Sequence, residues 1–151
     1  MIAGEKETLA ALLDYHRAIV VHKVSGVSED DARRPMVPSG TSLLGIVQHL
    51  ANVELSWFPV MFAGLDADLR EDSWAIGEDE TTTSVCARYE AACERSRAVT
   101  AAAGVDDVAV HSWRGGKPTL RWVLGHMLEE TARHCGHLDI LREQLDGTTG
   151  D

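Results

Sequence analysis

The sequence lacks an excess of basic residues, with 14 lysines and arginines against 24 aspartates and glutamates and a formal net charge of −10. A chain of this charge repels phosphate backbones and anionic lipids, so neither nucleic acid nor a membrane is an expected partner. It also lacks any run near the roughly 18 apolar residues that a membrane span needs. Glu5 and Glu7 interrupt the N-terminal segment where a signal peptide would be apolar. We therefore expect a cytoplasmic protein.

Cysteine is scarce as well, with three residues in the chain. Cys86 and Cys93 are seven residues apart in a segment that we expect to be one helix, where two turns separate them by about 10 Å. That distance excludes a disulfide between them. An odd number of free thiols fits a reducing compartment, and all three cysteines are expected to be small core residues rather than nucleophiles.

What the sequence has in abundance is helical periodicity. A chain of 151 residues suits one domain, here residues 1–151, and apolar residues recur at the 3.6-residue spacing in four long segments. The expected helices run from Glu5 to Val24, from Thr41 or Ser42 to Gly64, from 81–84 to Gly104, and from Thr119 to Leu145. Proline, glycine and acidic residues separate them. The sequence therefore predicts an all-α four-helix bundle with long connecting loops.

The apolar positions of these helices predict the core. The inner face of the first helix is expected at Leu9, Leu12, Leu13, Ile19 and Val20, and that of the last at Leu128, Leu138, Ile140 and Leu141. Pro59 removes one backbone donor, so the second helix should bend or end near Ser56. Trp74, an isolated aromatic in an acidic loop, either folds back on the core or borders a pocket.

The segment "EETARHCGHLD" on the last helix holds several chelating side chains. Glu130 and His134 are one turn apart and project from nearly the same side, and His126 and His137 extend the stripe in both directions. Each alone has an ordinary explanation, such as pairing of Glu130 with Arg133 or a hydrogen-bonded core histidine. Together they predict a divalent metal site, with a satisfied polar network inside the bundle as the alternative.

A two-residue chelate needs a further protein donor, and His49 on the second helix is the candidate. It lies between Ile46 and Leu50 on the expected inner face, where an imidazole without a partner would be costly. Gly45, one turn earlier, either leaves space for a pocket or marks the place where two helices cross. The sequence keeps both interpretations of this glycine open.

Two blocks, "PSGTSLLGIVQHLANVELSWF" and "TLRWVLGHMLEETARHCGHLDILREQLDG", closely resemble the DinB-like superfamily, in the branch related to mycothiol-dependent maleylpyruvate isomerases and mycothiol S-transferases. The resemblance implies a four-helix bundle, often a homodimer, that holds a divalent metal. The ligands it implies here are His49, Glu130 and His134, because the isomerase branch has Glu as the first residue of the last-helix pair. The isomerases carry a further C-terminal domain, so the single-domain thiol transferases are the nearer expectation.

The expected cofactors are a divalent metal and mycothiol. Zinc is the first expectation for the metal, with nickel, iron and manganese as alternatives, and it would activate the thiol for attack on a small electrophile. His126 and His137 are candidates for catalytic proton transfer or for orientation of the ligands, and equally for polar lining of the site. Trp57, Trp113 and Arg121 are candidates for shaping the pocket that binds the thiol cofactor and the electrophile.

Two rival functions stay open at this stage. Water in place of the thiol would make the protein a hydrolase of a small ester or amide, which would act without any added thiol. A site that captures a metal or a small ligand without turnover would make it a DinB-type binding protein. Such a protein would bind metal and leave an electrophile unchanged even when mycothiol is supplied.

Overall fold

Helices dominate the part of the chain that the computed structural model describes, residues 4–71 and 74–150. They are α1 (Glu5–Val24), α2 (Glu29–Arg33), α3 (Leu43–Leu55), α4 (Thr82–Ala102) and α5 (Leu120–Asp146), and a π-helical segment (Ser56–Phe62) continues α3. The four long helices form a bundle in which α1 packs mainly on α5 and α3 mainly on α4. The predicted all-α four-helix bundle is confirmed. Among these residues, every helix is too short or too polar to span a lipid bilayer.

Side-chain caps begin three of the long helices where the sequence predicts. Ser42, Thr81 and Thr119 each accept a hydrogen bond from a backbone N–H three residues later, which satisfies a donor that the helix itself leaves open. α5 ends at Gly147, whose φ of 75° is a left-handed conformation that glycine adopts without strain. Local chemistry therefore sets these boundaries.

Pro59 ends the α-helical part of α3 near Ser56, as predicted. A proline has no N–H to donate, and its ring crowds the carbonyl of the preceding turn. The chain responds by widening into the π-helical segment instead of stopping, so Phe58 and Phe62 still reach the core. The same segment carries Trp57 toward the residues described below.

The core prediction for α1 and α5 is wrong at two positions. Leu12 and Ile140 are 46% and 58% exposed, whereas Leu13 and Leu138 are fully buried. In each helix the buried side chains are three or four residues apart. Leu12 is one residue from Leu13 and Ile140 is two residues from Leu138, so their side chains point about 100° and 200° away from those buried leucines. A leucine or isoleucine on that outer side stays at the surface.

The three cysteines are free thiols, as predicted. Cys93 and Cys135 are buried and Cys86 is partly buried. Burial raises the pKa of the Cys93 thiol to about 12 and also raises the pKa of Cys86. Both therefore stay protonated near neutral pH, so neither is an activated nucleophile.

Candidate metal centre

Three chelating side chains from two helices meet in the interior of the bundle. His49 comes from α3, and Glu130 and His134 come from α5. Each offers one ligand atom, and these atoms all lie within 4.8 Å of one another. Oε1 of Glu130 is 3.2 Å from Nε2 of His49 and 3.1 Å from Nε2 of His134. One carboxylate oxygen thus stands between two imidazole rings, and we call these three residues the triad.

The pKa shifts of Glu130 and His134 favour the forms of these side chains that bind a divalent cation. Burial by itself raises the pKa of Glu130, but the neighbouring His49 and His134 rings outweigh burial and leave it lowered. Burial lowers the pKa of His134, and the attraction of Glu130 offsets only part of this effect. Near pH 7 the site therefore presents a carboxylate and at least one neutral imidazole, which is the donor set of many zinc sites. The residues fit the metal that the sequence predicts.

His137 contacts the triad from its solvent side. Its Nδ1 lies 3.3 Å from Nδ1 of His134, while Nε2 of His134 faces Glu130. The second nitrogen of a metal-binding histidine is the position from which a neighbour orients the ring. His137 is exposed, so it can also exchange protons with solvent. The structure thus places it where either predicted role is possible.

Trp74 returns from the loop after the π-helical segment and borders the triad. Its indole centroid is 5.2 Å from the ring of His49 and 6.3 Å from that of His134. Gly45 permits this approach, because a Cβ atom there would come within 2.8 Å of the carbonyl oxygen of Trp74. The glycine accommodates a loop rather than a crossing helix, and Trp74 both packs on the core and borders the site.

A cavity of about 360 Å³ opens beside His134. It lies between the chain that precedes α3 and the C-terminal half of α5. Its lining residues are Val37, Ser39, Thr41, Trp74, His134, His137, Ile140 and Leu141. Apolar walls with a few hydroxyl and imidazole groups suit a small organic ligand that must reach the triad.

His126 joins an aromatic cluster instead of the triad. It stacks on Trp122 at a centroid distance of 5.0 Å and an interplanar angle of 15°, and it meets the edge of Trp57 at 4.5 Å. Trp113 packs on both Trp57 and Trp122 at 5.5 and 5.0 Å. We call Trp57, Trp113, Trp122 and His126 the tryptophan cluster. Its two members on α5, Trp122 and His126, precede Glu130 by about two turns and one turn, so they continue the stripe of Glu130 and His134 along the helix.

Arg121 faces a different side of α5. Its guanidinium forms ion pairs with Glu5 at 2.7 Å and Asp106 at 2.5 Å. Nine residues separate it from Glu130, which places the two side chains about half a turn apart around the helix. Its proposed place in the pocket therefore has no support from its contacts. Its chain neighbour Trp122, by contrast, lies in the tryptophan cluster.

The geometry agrees with a comparison of the chain with known families. A family model described as mycothiol-S-transferase matches residues 8–147. The chain belongs to the mycothiol S-transferase family. The match includes the whole triad and the tryptophan cluster, and it confirms the resemblance seen in the sequence. No curated protein matches the chain. Membership in the mycothiol S-transferase family implies a thiol and an electrophile as the substrates.

Proposed function

We propose that the protein is a divalent-metal-dependent S-transferase that joins mycothiol to a small electrophile. The observation that carries the proposal is the triad, in which His49, Glu130 and His134 offer three converging donor atoms beside an open cavity. Three protein donors are the usual complement of a catalytic zinc site, whose remaining position is open. Family membership adds the thiol to this geometry.

His49, Glu130 and His134 would hold the cation, with zinc as the first candidate. A divalent cation supplies Lewis acidity, which lowers the pKa of a coordinated thiol so that the thiolate predominates at neutral pH. The reaction is a substitution: the thiol loses its proton, the sulfur electron pair forms a carbon–sulfur bond, and the leaving group departs with its bonding electrons. The protein's own buried cysteines take no part in this reaction.

The surrounding residues position the reactants. His137 holds the ring of His134 through its Nδ1 atom and can pass the thiol proton to solvent. Trp74 borders the triad where the cavity opens and offers the ligand an apolar wall. Ser39 and Thr41 supply hydroxyl groups to the polar part of a thiol that occupies the cavity. Homodimer formation, which the sequence resemblance implies, stays a prediction.

Metal content tests the ligand set directly. Protein purified without an affinity tag should contain about one divalent ion per chain by elemental analysis, and His49→Ala and Glu130→Gln should lose most of it. Glu129→Gln is the matched control, since Glu129 is exposed and pairs with Arg133 on the outer side of α5. Retention of stoichiometric metal by His49→Ala would show that the triad is not the ligand set.

Thiol dependence tests the reaction. With monochlorobimane as the electrophile, the wild-type protein should form the fluorescent thioether only when mycothiol is added, and His49→Ala should lose at least about 100-fold in rate. Hydrolysis of model esters without any thiol would favour the hydrolase. Metal-loaded protein that leaves the electrophile unchanged in the presence of mycothiol would favour a binding protein without turnover.

A further inference from the structure

A tight turn beside the tryptophan cluster contains a residue that its backbone does not favour. Trp113 and Gly116 exchange two backbone hydrogen bonds of 2.7 and 3.1 Å across a two-residue turn. Both central residues have positive φ, 46° at Arg114 and 84° at Gly115. Glycine or asparagine is the usual choice at the first of these positions, and an arginine there is strained. Since the backbone does not favour arginine at position 114, we look to the contacts of the Arg114 side chain for its role.

The strained backbone places the guanidinium group of Arg114 over an aromatic surface. Its Cζ atom is 4.5 Å from the centroid of the Trp113 ring, within the range of a cation–π contact. An open cavity of about 370 Å³ adjoins this pair and is lined also by Lys117 and Trp122. Trp122 is 38% exposed, which is unusual for so large an apolar ring. The cavity thus combines two cationic side chains, Arg114 and Lys117, with the rings of Trp113 and Trp122.

The charge of this cavity is opposite to that of the protein as a whole. The formal net charge of the chain is −10, yet the cavity lining contains Arg114 and Lys117 and, among the residues that the structure describes, no acidic residue. A local positive potential on a negative protein concentrates anions at that point. The exposed indole of Trp122 adds a preference for ligands with a flat ring, because such a ring can stack on indole. The two features together select a planar ring that carries a negative charge.

The position of this cavity relates it to the triad. Trp122 stacks on His126, and Glu130 follows one turn later, so about 12 Å along α5 separate Trp122 from Glu130. A substituted aromatic molecule that stacks on Trp122 in this cavity lies about two helical turns from Glu130, and a molecule long enough to span that distance along α5 reaches the triad. The other cavity, beside His134, remains free for the thiol. The two cavities lie at opposite ends of the stripe.

We propose that Trp113, Arg114, Lys117 and Trp122 form the electrophile subsite and select planar aromatic electrophiles that bear an anionic substituent. This assignment rests on the proposed transferase function for its reaction, but its binding chemistry is independent of metal and thiol. Arg114 and Lys117 hold the anionic group, and Trp122 stacks on the ring. Arg114 and Lys117 are specificity-determining residues that touch the substrate at the end away from the reacting carbon.

Equilibrium binding of an unreactive matched pair tests the subsite. Naphthalene-2-sulfonate and the neutral naphthalene-2-sulfonamide have nearly the same shape and differ in charge. Titration into full-length wild-type protein without thiol, followed by tryptophan fluorescence and calorimetry, should show at least about five-fold tighter binding of the sulfonate. The same preference is expected in His49→Ala, so failure of the metal or transferase proposal leaves this result unaffected.

Three variants separate charge from stacking. Arg114→Asn suits the turn better and should raise the thermal stability, while Arg114→Asn and Lys117→Gln should each weaken the sulfonate about five-fold and leave the sulfonamide unchanged. Trp122→Ala should weaken both compounds about ten-fold. Arg34→Asn, which removes an exposed cation elsewhere, is the matched control. Equal affinity for the two compounds, no measurable binding of either, or undiminished sulfonate binding in Arg114→Asn and Lys117→Gln would overturn the proposal.

Discussion

At the scale of single residues, the proposed function depends on atoms that share one small volume. Oε1 of Glu130 is within 3.2 Å of both imidazole Nε2 atoms, and the two rings lower the pKa of the Glu130 carboxyl group. Other nearby residues make room for this arrangement or border it. Gly45 and Trp74 show this most clearly, because the loop reaches His49 only where the helix has no side chain.

Two glycine-to-alanine changes should therefore act in opposite directions. Gly45→Ala places a methyl group against the Trp74 backbone and should lower the free energy of unfolding by about 1–3 kcal/mol. Gly136→Ala meets open space in α5 and should raise it by about 0.5–1 kcal/mol, because alanine favours a helix. Urea denaturation of both variants measures the difference. Equal stabilisation by the two changes would contradict the packing of the Trp74 segment on α3.

At the scale of helices, the ends are set by side chains that the sequence displays. Glu80, just before the capping residue of α4, shows how the loop is attached to this helix. Its carboxylate accepts hydrogen bonds from Ser84 at 2.6 Å and Arg88 at 2.8 Å, and it also pairs with Arg70. These partners lower the pKa of Glu80 to about 2, and the hydrogen bond from Ser84 has the largest effect.

The lowered pKa of Glu80 predicts a pH-dependent contribution to stability. In the unfolded chain the carboxyl group titrates near its ordinary value of 4.5, so its contribution is complete above that pH and is lost as the pH falls toward 2. Glu80→Gln should be less stable than wild type at pH 6, and the gap should shrink between pH 4.5 and 2. Urea unfolding across this range measures it. Glu78→Gln, at an exposed acid, is the control, and a gap that does not vary with pH would contradict this role of Glu80.

At the scale of the whole molecule, a buried ion pair joins α1 to α3. Arg17 donates from Nε and Nη2 to the two carboxylate oxygens of Glu54 at 2.7 and 2.6 Å. Their side chains are only 5% and 1% exposed. The apolar periodicity of α1 does not reveal this contact, because Arg17 occupies a buried position that the pattern predicts to be apolar. The burial of Arg17 is explained by the position of α3, which brings the Glu54 carboxylate to it.

Replacement of Arg17 alone should lower the free energy of unfolding more than replacement of both Arg17 and Glu54. Arg17→Met leaves the Glu54 carboxylate buried without its cation and should lower the free energy of unfolding by about 3–5 kcal/mol. The double variant Arg17→Met, Glu54→Leu should recover most of that loss, because neither charge remains. Glu94→Gln, at an exposed pair with Arg97, should change stability by less than about 1 kcal/mol. A double variant as unstable as Arg17→Met would show that the pair does more than neutralise charge.

The sequence predicted the helices well because their signals are local. Caps at Ser42, Thr81 and Thr119, the break at Pro59 and the stop at Gly147 each act within about four residues of the chain. The spacing of Glu130 and His134 is equally local, since an α-helix places residues four apart on one side. Burial, in contrast, is not a local property, because it depends on which neighbours pack against the helix. The sequence therefore misjudged Leu12 and Ile140.

By itself the sequence determined the helical bundle and the one-turn chelate of α5, since backbone hydrogen bonding and side-chain periodicity are properties of neighbouring residues. The sequence named His49 as a candidate donor, but only the tertiary structure shows that it meets Glu130 across 81 residues of chain. The tertiary structure alone also decided that Trp74 borders His49 and that Arg114 lies over Trp113. Contacts of this kind arise when separate helices and loops bury their apolar surfaces together. The way in which the helices pack against one another, which no short stretch of sequence specifies, brings such side chains into one site.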